Sequence, residues 1–152
     1  MAALLNFKGA SQPFVDRLSG INHHFSDNGL FGVNVEGAGS HSSQLLGVGL
    51  EALNSLKGGV SDEDLSLAKA SLKMQVLQTL EDRENRLEEM AKHYQLIGDL
   101  SFTKYVDYID NVSSSQISDV ASRVLQGKPT MVVTGDAINL VPNITDVARQ
   151  LQ

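Results

Sequence analysis

The chain has 152 residues, a formal net charge of −6, 41% hydrophobic and 20% charged residues, and no cysteine. That length and balance suit one domain with a sizeable core and argue against disorder. The acidic balance disfavours nucleic-acid binding, which needs concentrated Lys and Arg, and the missing cysteines exclude disulfides, thiolate zinc sites and cysteine nucleophiles.

No apolar run approaches the roughly 20 residues needed to span a bilayer. Residues 1–20 carry only Lys8 and Arg17 as bases, so no secretory signal or Arg-rich transit peptide is read there. The first element expected is a β-hairpin over residues 21–35. Ile21, His23 and Phe25 alternate before Asp27-Asn28-Gly29, and Phe31, Val33 and Val35 alternate after it. Asn-Gly favours a two-residue type I′ turn because both residues tolerate positive φ. Ser42 or Ser43 can then cap a helix with Leu46, Leu50 and Leu53 on one face, ending at Gly58-Gly59. Ser61-Asp62-Glu63-Asp64 resembles a capping box ahead of a helix with Leu65, Ala68, Leu72, Val76 and Leu80 at three- and four-residue spacing. A second helical pattern uses Leu87, Met90, Ala91 and Tyr94 and stops at Gly98. Short helices are expected at 101–110 and 114–126, the latter with Ile117, Val120, Ala121 and Val124 on one side and Gly127 after it. The β-branched run Thr130-Met131-Val132-Val133-Thr134 reads as a strand, and a last helix from about 143 uses Ile144, Val147 and Leu151. The pattern is hairpin, helices, then one more strand: a single α+β domain over residues 1–152.

No site emerges from the residues alone. Neither H-x-x-E-H nor H-E-x-x-H occurs around His23, His24, His41 or His93. His23 and His24 are adjacent on a strand, point to opposite faces, and read as one half-buried and one solvated side chain. Asp82, Glu84, Glu88 and Glu89, interleaved with Arg83, Arg86 and Lys92, read as a solvated helix face with i,i+4 pairs. Glu36-Gly37-Ala38-Gly39-Ser40 has the strand-to-helix context of a phosphate cradle but not the third glycine or the Gly-Lys-Ser/Thr that would complete one. No catalytic, cofactor-binding or metal-binding residue is assigned, and no cofactor is expected.

Several segments nevertheless carry a family resemblance. Phe25-Ser26-Asp27-Asn28-Gly29-Leu30-Phe31-Gly32 resembles the Tyr-Ser-Asp-Ser-Gly-Leu-Phe-Gly hairpin of the pitrilysin-type metallopeptidases, the family with an inverted zinc motif. Ala68-Lys69-Ala70-Ser71-Leu72-Lys73 is similar to the family's Ala-Lys-x-x-Leu-Lys helix. Leu80-Glu81-Asp82-Arg83 with Glu88-Glu89-Met90, and Gly127-Lys128-Pro129 through Gly135-Asp136, resemble segments of its α-type mitochondrial members. Those members are the α subunit of the mitochondrial processing peptidase and core protein 2 of ubiquinol–cytochrome c reductase. Ser11-Gln12-Pro13-Phe14 is similar to the second of them, and the resemblance covers about residues 11–151.

The resemblance implies a mostly antiparallel sheet with helices packed on one face, a half-domain of the C-terminal type that lacks its first elements. Either the chain is a fragment, or a separate chain supplies those elements. It also implies a non-catalytic chain. The family's zinc motif lies in the first domain of the β-type subunit, and the Arg and Tyr pair that holds substrate in some relatives has no counterpart: Arg17 is the one arginine before residues 21–35, and the first tyrosine is Tyr94. The function implied is a structural core subunit on the matrix side of the mitochondrial inner membrane, packed against a β-type subunit and other subunits of the respiratory complex. The alternative is the α subunit of the processing peptidase, holding presequence peptides while a β-type partner performs zinc hydrolysis. An open sheet edge would leave the isolated chain poorly soluble or oligomeric.

Overall fold

The structure is a computed structural model that describes residues 1–8, 12–98 and 102–151. Its elements run α1 (Ala2–Lys8), β1 (Val15–His24), β2 (Gly29–Gly37), α2 (Ser42–Ser55), α3 (Asp62–Glu81), α4 (Arg83–Ile97), α5 (Phe102–Asn111), α6 (Ser114–Val124) and α7 (Ile144–Leu151). Short 3-10 turns at Gly39–His41 and Ile138–Leu140 precede α2 and α7. The α+β class is as expected, with one antiparallel pair as its sheet among the described residues.

The hairpin forms, but not with the expected turn. His24 pairs with Gly29 and Leu18 with Val35, and the Phe25 N–H donates to the Asn28 carbonyl at 2.8 Å, which leaves Ser26 and Asp27 at the tip. Neither Asn28 nor Gly29 has positive φ, so the type I′ turn at Asn28-Gly29 is corrected. The core explains the register. It sets Leu18, which is buried, beside Val35, and Gly20 beside Val33, on the face where Phe31, Val33 and Val35 meet the helices. Apolar burial along ten residues of strand outweighs the local preference of one dipeptide.

The strands also begin earlier than expected, and the hairpin is not the first element, because α1 lies across β1. A Cβ on Gly20 would come within 2.5–2.8 Å of the backbone and Cβ of Ala2, so only glycine admits this approach. The Gly20 N–H donates to Asn6 Oδ1 at 2.8 Å. Leu4 and Leu5 then enter the core.

Beneath the sheet, α2 packs through Gly49, whose missing Cβ leaves room for Val33 and Val35. Its Leu50, Leu53 and the flanking Leu56 join Ala68 of α3, Ile117 and Ala121 of α6, and Val147 and Leu151 of α7 in one core. Three interactions tie α2 and the turn after it to distant chain: Asn54 Nδ2 donates to the Gln150 carbonyl at 3.0 Å, the Lys57 ammonium to the Leu151 carbonyl, and the Ser118 hydroxyl to the Lys57 carbonyl at 2.6 Å. Neither Ser42 nor Ser43 caps α2. The Ser42 hydroxyl donates back to the Gly39 carbonyl, and the helix ends at Ser55, before Gly58-Gly59.

The other helix boundaries follow their signals. Ser61 accepts from the Asp64 N–H at 3.1 Å to cap α3. Asp82 stands extended between α3 and α4 and accepts from the Glu84 and Asn85 N–H groups. Gly98 closes α4 at φ 73°. Ser113 and Gln116 complete a capping box on α6. The apolar pattern of α4 differs from expectation, since Leu87 and Tyr94 are exposed: α4 packs mainly on α3, and nothing covers its other side among the described residues. Ser101, in the expected 101–110 helix, and Ser11 lie outside the described residues.

The expected strand at 130–134 is a further correction. The segment is without a ladder partner among the described residues, and Val132 is 83% exposed. Its β-branched composition suits a pleated surface, but a strand exists only beside a neighbour, and none reaches it here.

Candidate functional site

A cleft of about 570 Å³ is lined by β2 residues and residues 129–137. One wall is Val33 to Gly37, and the other runs from Pro129 to Ala137. Leu46, Gly49, Leu50 and Leu53 of α2, with Val147 and Leu151 of α7, form an apolar floor. The walls converge at one end, where a Cβ on Gly39 would lie 3.6 Å from the Ala137 Cβ. Glu36 and Asp136 are the charged residues lining the cleft, and both are exposed acids.

The remaining candidates do not converge on it. His23 and His24 sit at the exposed end of β1, and both are exposed rather than one half-buried. His41 stacks on Phe14 with ring centroids 5.2 Å apart and an interplanar angle of 12°, and shares a 3.0 Å hydrogen bond with Ser40. His93 lies on α4, far along the chain from either pair. Among the described residues, no group of three or more His, Asp or Glu is placed to hold a metal ion.

The acidic run serves the helices. Asp82 caps α4, and Lys92 bridges Glu88 at 2.7 Å and Glu89 at 3.1 Å. The hydrogen bond and charge of Lys92 hold the Glu88 carboxyl below its ordinary value, and Glu88 in turn raises the Lys92 ammonium. Gly37 of the expected strand-to-helix loop is a packing position: its missing Cβ makes room for the Phe14 carbonyl and the Leu45 side chain. The cleft itself was not read from the sequence. Its signal there was the β-branched run at 130–134 together with the leucine stripe Leu46, Leu50 and Leu53 on α2.

No family model matches the chain. Curated proteins do. The probable mitochondrial-processing peptidase subunit alpha of Schizosaccharomyces pombe is 30% identical over 139 residues, 82% of this chain and 27% of that protein. Mitochondrial-processing peptidase subunit alpha-2 of Dictyostelium discoideum is 34% identical over 136 residues, 86% of this chain and 29% of that protein. The mitochondrial cytochrome b-c1 complex subunit 2 of Mus musculus is 26% identical over 131 residues, 85% of this chain and 28% of that protein. Among solved structures, a chain of complex III2 from Candida albicans, bound to Inz-5, superposes with a TM-score of 0.65. It has 20% identity, covers 72% of this chain and 27% of that one, and so bears on the fold.

The chain is therefore a homologue within the pitrilysin-like metallopeptidase family. Within it, the relatives are processing-peptidase α subunits and cytochrome b-c1 subunit 2, the α-type branch. The chain spans under a third of the length of these curated relatives.

Proposed function

We propose that the chain is a non-catalytic structural core subunit like core protein 2 of mitochondrial ubiquinol–cytochrome c reductase, on the matrix side of the inner membrane. In this reading residues 1–152 fold as one unit of the C-terminal metallopeptidase type and pack against a β-type subunit. The observation that carries it is the match to cytochrome b-c1 subunit 2 over 85% of the chain. No residue is assigned to catalysis, to a cofactor or to a metal.

A second reading has its own support. Processing-peptidase α subunits match at 30% and 34% identity, which favours a chain that holds presequence peptides while a β-type partner hydrolyses them. Its acidic balance suits basic presequences. Affinity purification of the tagged chain from mitochondria separates the two. Recovery with haem-containing membrane subunits, and no cleavage of a basic presequence peptide, supports the core-subunit reading. Recovery with a partner carrying H-x-x-E-H, and zinc-dependent cleavage, overturns it.

A further inference from the structure

The dipeptide Asn28-Gly29 does not make the turn, since neither residue takes positive φ and the tip falls at Ser26-Asp27. What it keeps is its chemistry. Asn28 and Gly29 are both exposed, and the bond that closes the tip runs from the Phe25 N–H to the Asn28 carbonyl at 2.8 Å. That bond makes 24/29 a non-hydrogen-bonded pair of the ladder, so the Gly29 N–H points away from β1. The Gly20 N–H, in another such pair, also points outward and reaches Asn6 at 2.8 Å. A side-chain amide just before an outward glycine N–H is set for attack within the chain. No Cβ crowds the nitrogen, and glycine turns easily enough to bring it to the side chain. Other asparagines are held. Asn34 Nδ2 donates to Glu36 at 2.7 Å, Asn54 Nδ2 to the Gln150 carbonyl at 3.0 Å and Asn111 Nδ2 to the Asp107 carbonyl at 2.9 Å. After Asn85 and Asn139 the next N–H is engaged, Arg86 with the Asp82 carbonyl and Leu140 with the Ala137 carbonyl. The Asn28 side chain makes no hydrogen bond among the described residues.

We propose that Asn28-Gly29 is a self-modification site, at which Asn28 deamidates through a cyclic imide to isoaspartate and aspartate. Hydroxide takes the Gly29 amide proton, and the nitrogen attacks the carbonyl carbon of the Asn28 side chain. The new C–N bond closes a five-membered ring, the bond to Nδ2 breaks, and Nδ2 takes a proton from water and leaves as ammonia. Water then opens the imide at either carbonyl. Opening at the side-chain carbonyl gives aspartate. Opening at the main-chain carbonyl gives isoaspartate, in which the chain runs on through the side-chain carbons. The sum is one water consumed, one ammonia released and one carboxylate gained beside Asp27. Isoaspartate lengthens the main chain at the residue whose carbonyl closes the tip, so the Phe25 N–H loses its acceptor. The site does not depend on the subunit reading and is measured on the purified chain, so neither result decides the other.

The test incubates the full chain at neutral and mildly alkaline pH, folded and in urea. Each asparagine is followed by peptide mapping with electron-transfer fragmentation, which tells isoaspartate from aspartate. In the folded chain Asn28 is expected to convert at least about tenfold faster than any other asparagine, at a rate proportional to hydroxide. Its folded and urea rates should agree within about threefold, whereas folding should slow Asn54, which also precedes a small residue, at least about tenfold. Asn28→Gln, whose longer side chain has to close a larger ring, should abolish conversion at 28 with circular dichroism unchanged. The change is placed there because a Cβ on Gly29 would lie 3.1 Å from the His23 carbonyl. If that variant misfolds, the folded and unfolded parent decide. In the isoaspartate form, amide exchange at Phe25 should quicken. Five results overturn the proposal: conversion at 28 no faster than elsewhere, aspartate without isoaspartate, a rate indifferent to hydroxide, folding that protects Asn28 as it protects Asn54, or unchanged exchange at Phe25.

Discussion

Replacing Gly20 by Ala tests how α1 is held. The added Cβ would sit 2.5 Å from the Ala2 carbonyl oxygen, 2.6 Å from its Cα and 2.8 Å from its Cβ. Carbon atoms rest at about 3.5–4.0 Å, so α1 must retreat by roughly 1 Å. Neither side yields easily, because the atoms in conflict are backbone of a helix and of a paired strand. Overpacking of this kind costs about 1–3 kcal/mol. Retreat also stretches the 2.8 Å bond from the Gly20 N–H to Asn6, worth about 0.5–1.5 kcal/mol. Together the loss is about 1.5–4.5 kcal/mol, and at about 2–4 °C per kcal/mol for a chain of this size Tm falls by roughly 3–18 °C. Parent and Gly20→Ala should be compared by urea and thermal unfolding at one protein concentration, since association shifts apparent stability. Asn6→Ala, which removes the hydrogen bond without the clash, should lose only about 1 kcal/mol. If Gly20→Ala stays within about 0.5 kcal/mol of the parent, α1 does not lie against β1 in solution and the docking argument fails.

Three further outcomes follow from packing, capping and charge. Leu56→Ala removes a side chain with no exposed surface and should cost about 2–5 kcal/mol in urea unfolding; a smaller loss would mean the site collapses around the gap. Ser113→Ala breaks the capping box of α6 and should cost about 0.5–2 kcal/mol in urea unfolding; an unchanged stability would mean the box does not hold the helix end. The Glu88–Lys92 pair gives a signed pH dependence. With the Glu88 pKa depressed on folding, its contribution is present above the unfolded carboxyl value and lost as pH falls through the folded one. With the Lys92 pKa raised, the ammonium's contribution is present below its unfolded value and lost as pH rises through the folded one. Glu88→Gln should flatten the acid limb of α4 helicity at low salt and do nothing at high salt, the pair being exposed.

Much of the helical half was legible because its signals are local. Ser61 and Gly98 mark ends by bonds that reach only three or four residues, and the structure places each at the boundary it marks, whereas Asp82, read as part of a solvated helix face, turns out to cap α4. What failed to read was decided at long range. Asn28-Gly29 carries a turn preference, yet Leu18 against Val35 and the fit of Val33 and Val35 over Gly49 choose another tip. The seven residues of α1 are too few to be helical alone, and their helix depends on a glycine beyond the next loop.

The segment 130–134 is the most instructive difference, because its sequence and its structure disagree for one reason. Strand propensity measures fit to a pleated, half-buried neighbour rather than an intrinsic backbone preference. Here the residues are largely β-branched and the helices beneath supply an apolar floor, but among the described residues no ladder partner stands beside them. The same holds for β2, which pairs with β1 alone among the described residues. Two independent edges, about a hundred residues apart in sequence, thus end at one cleft.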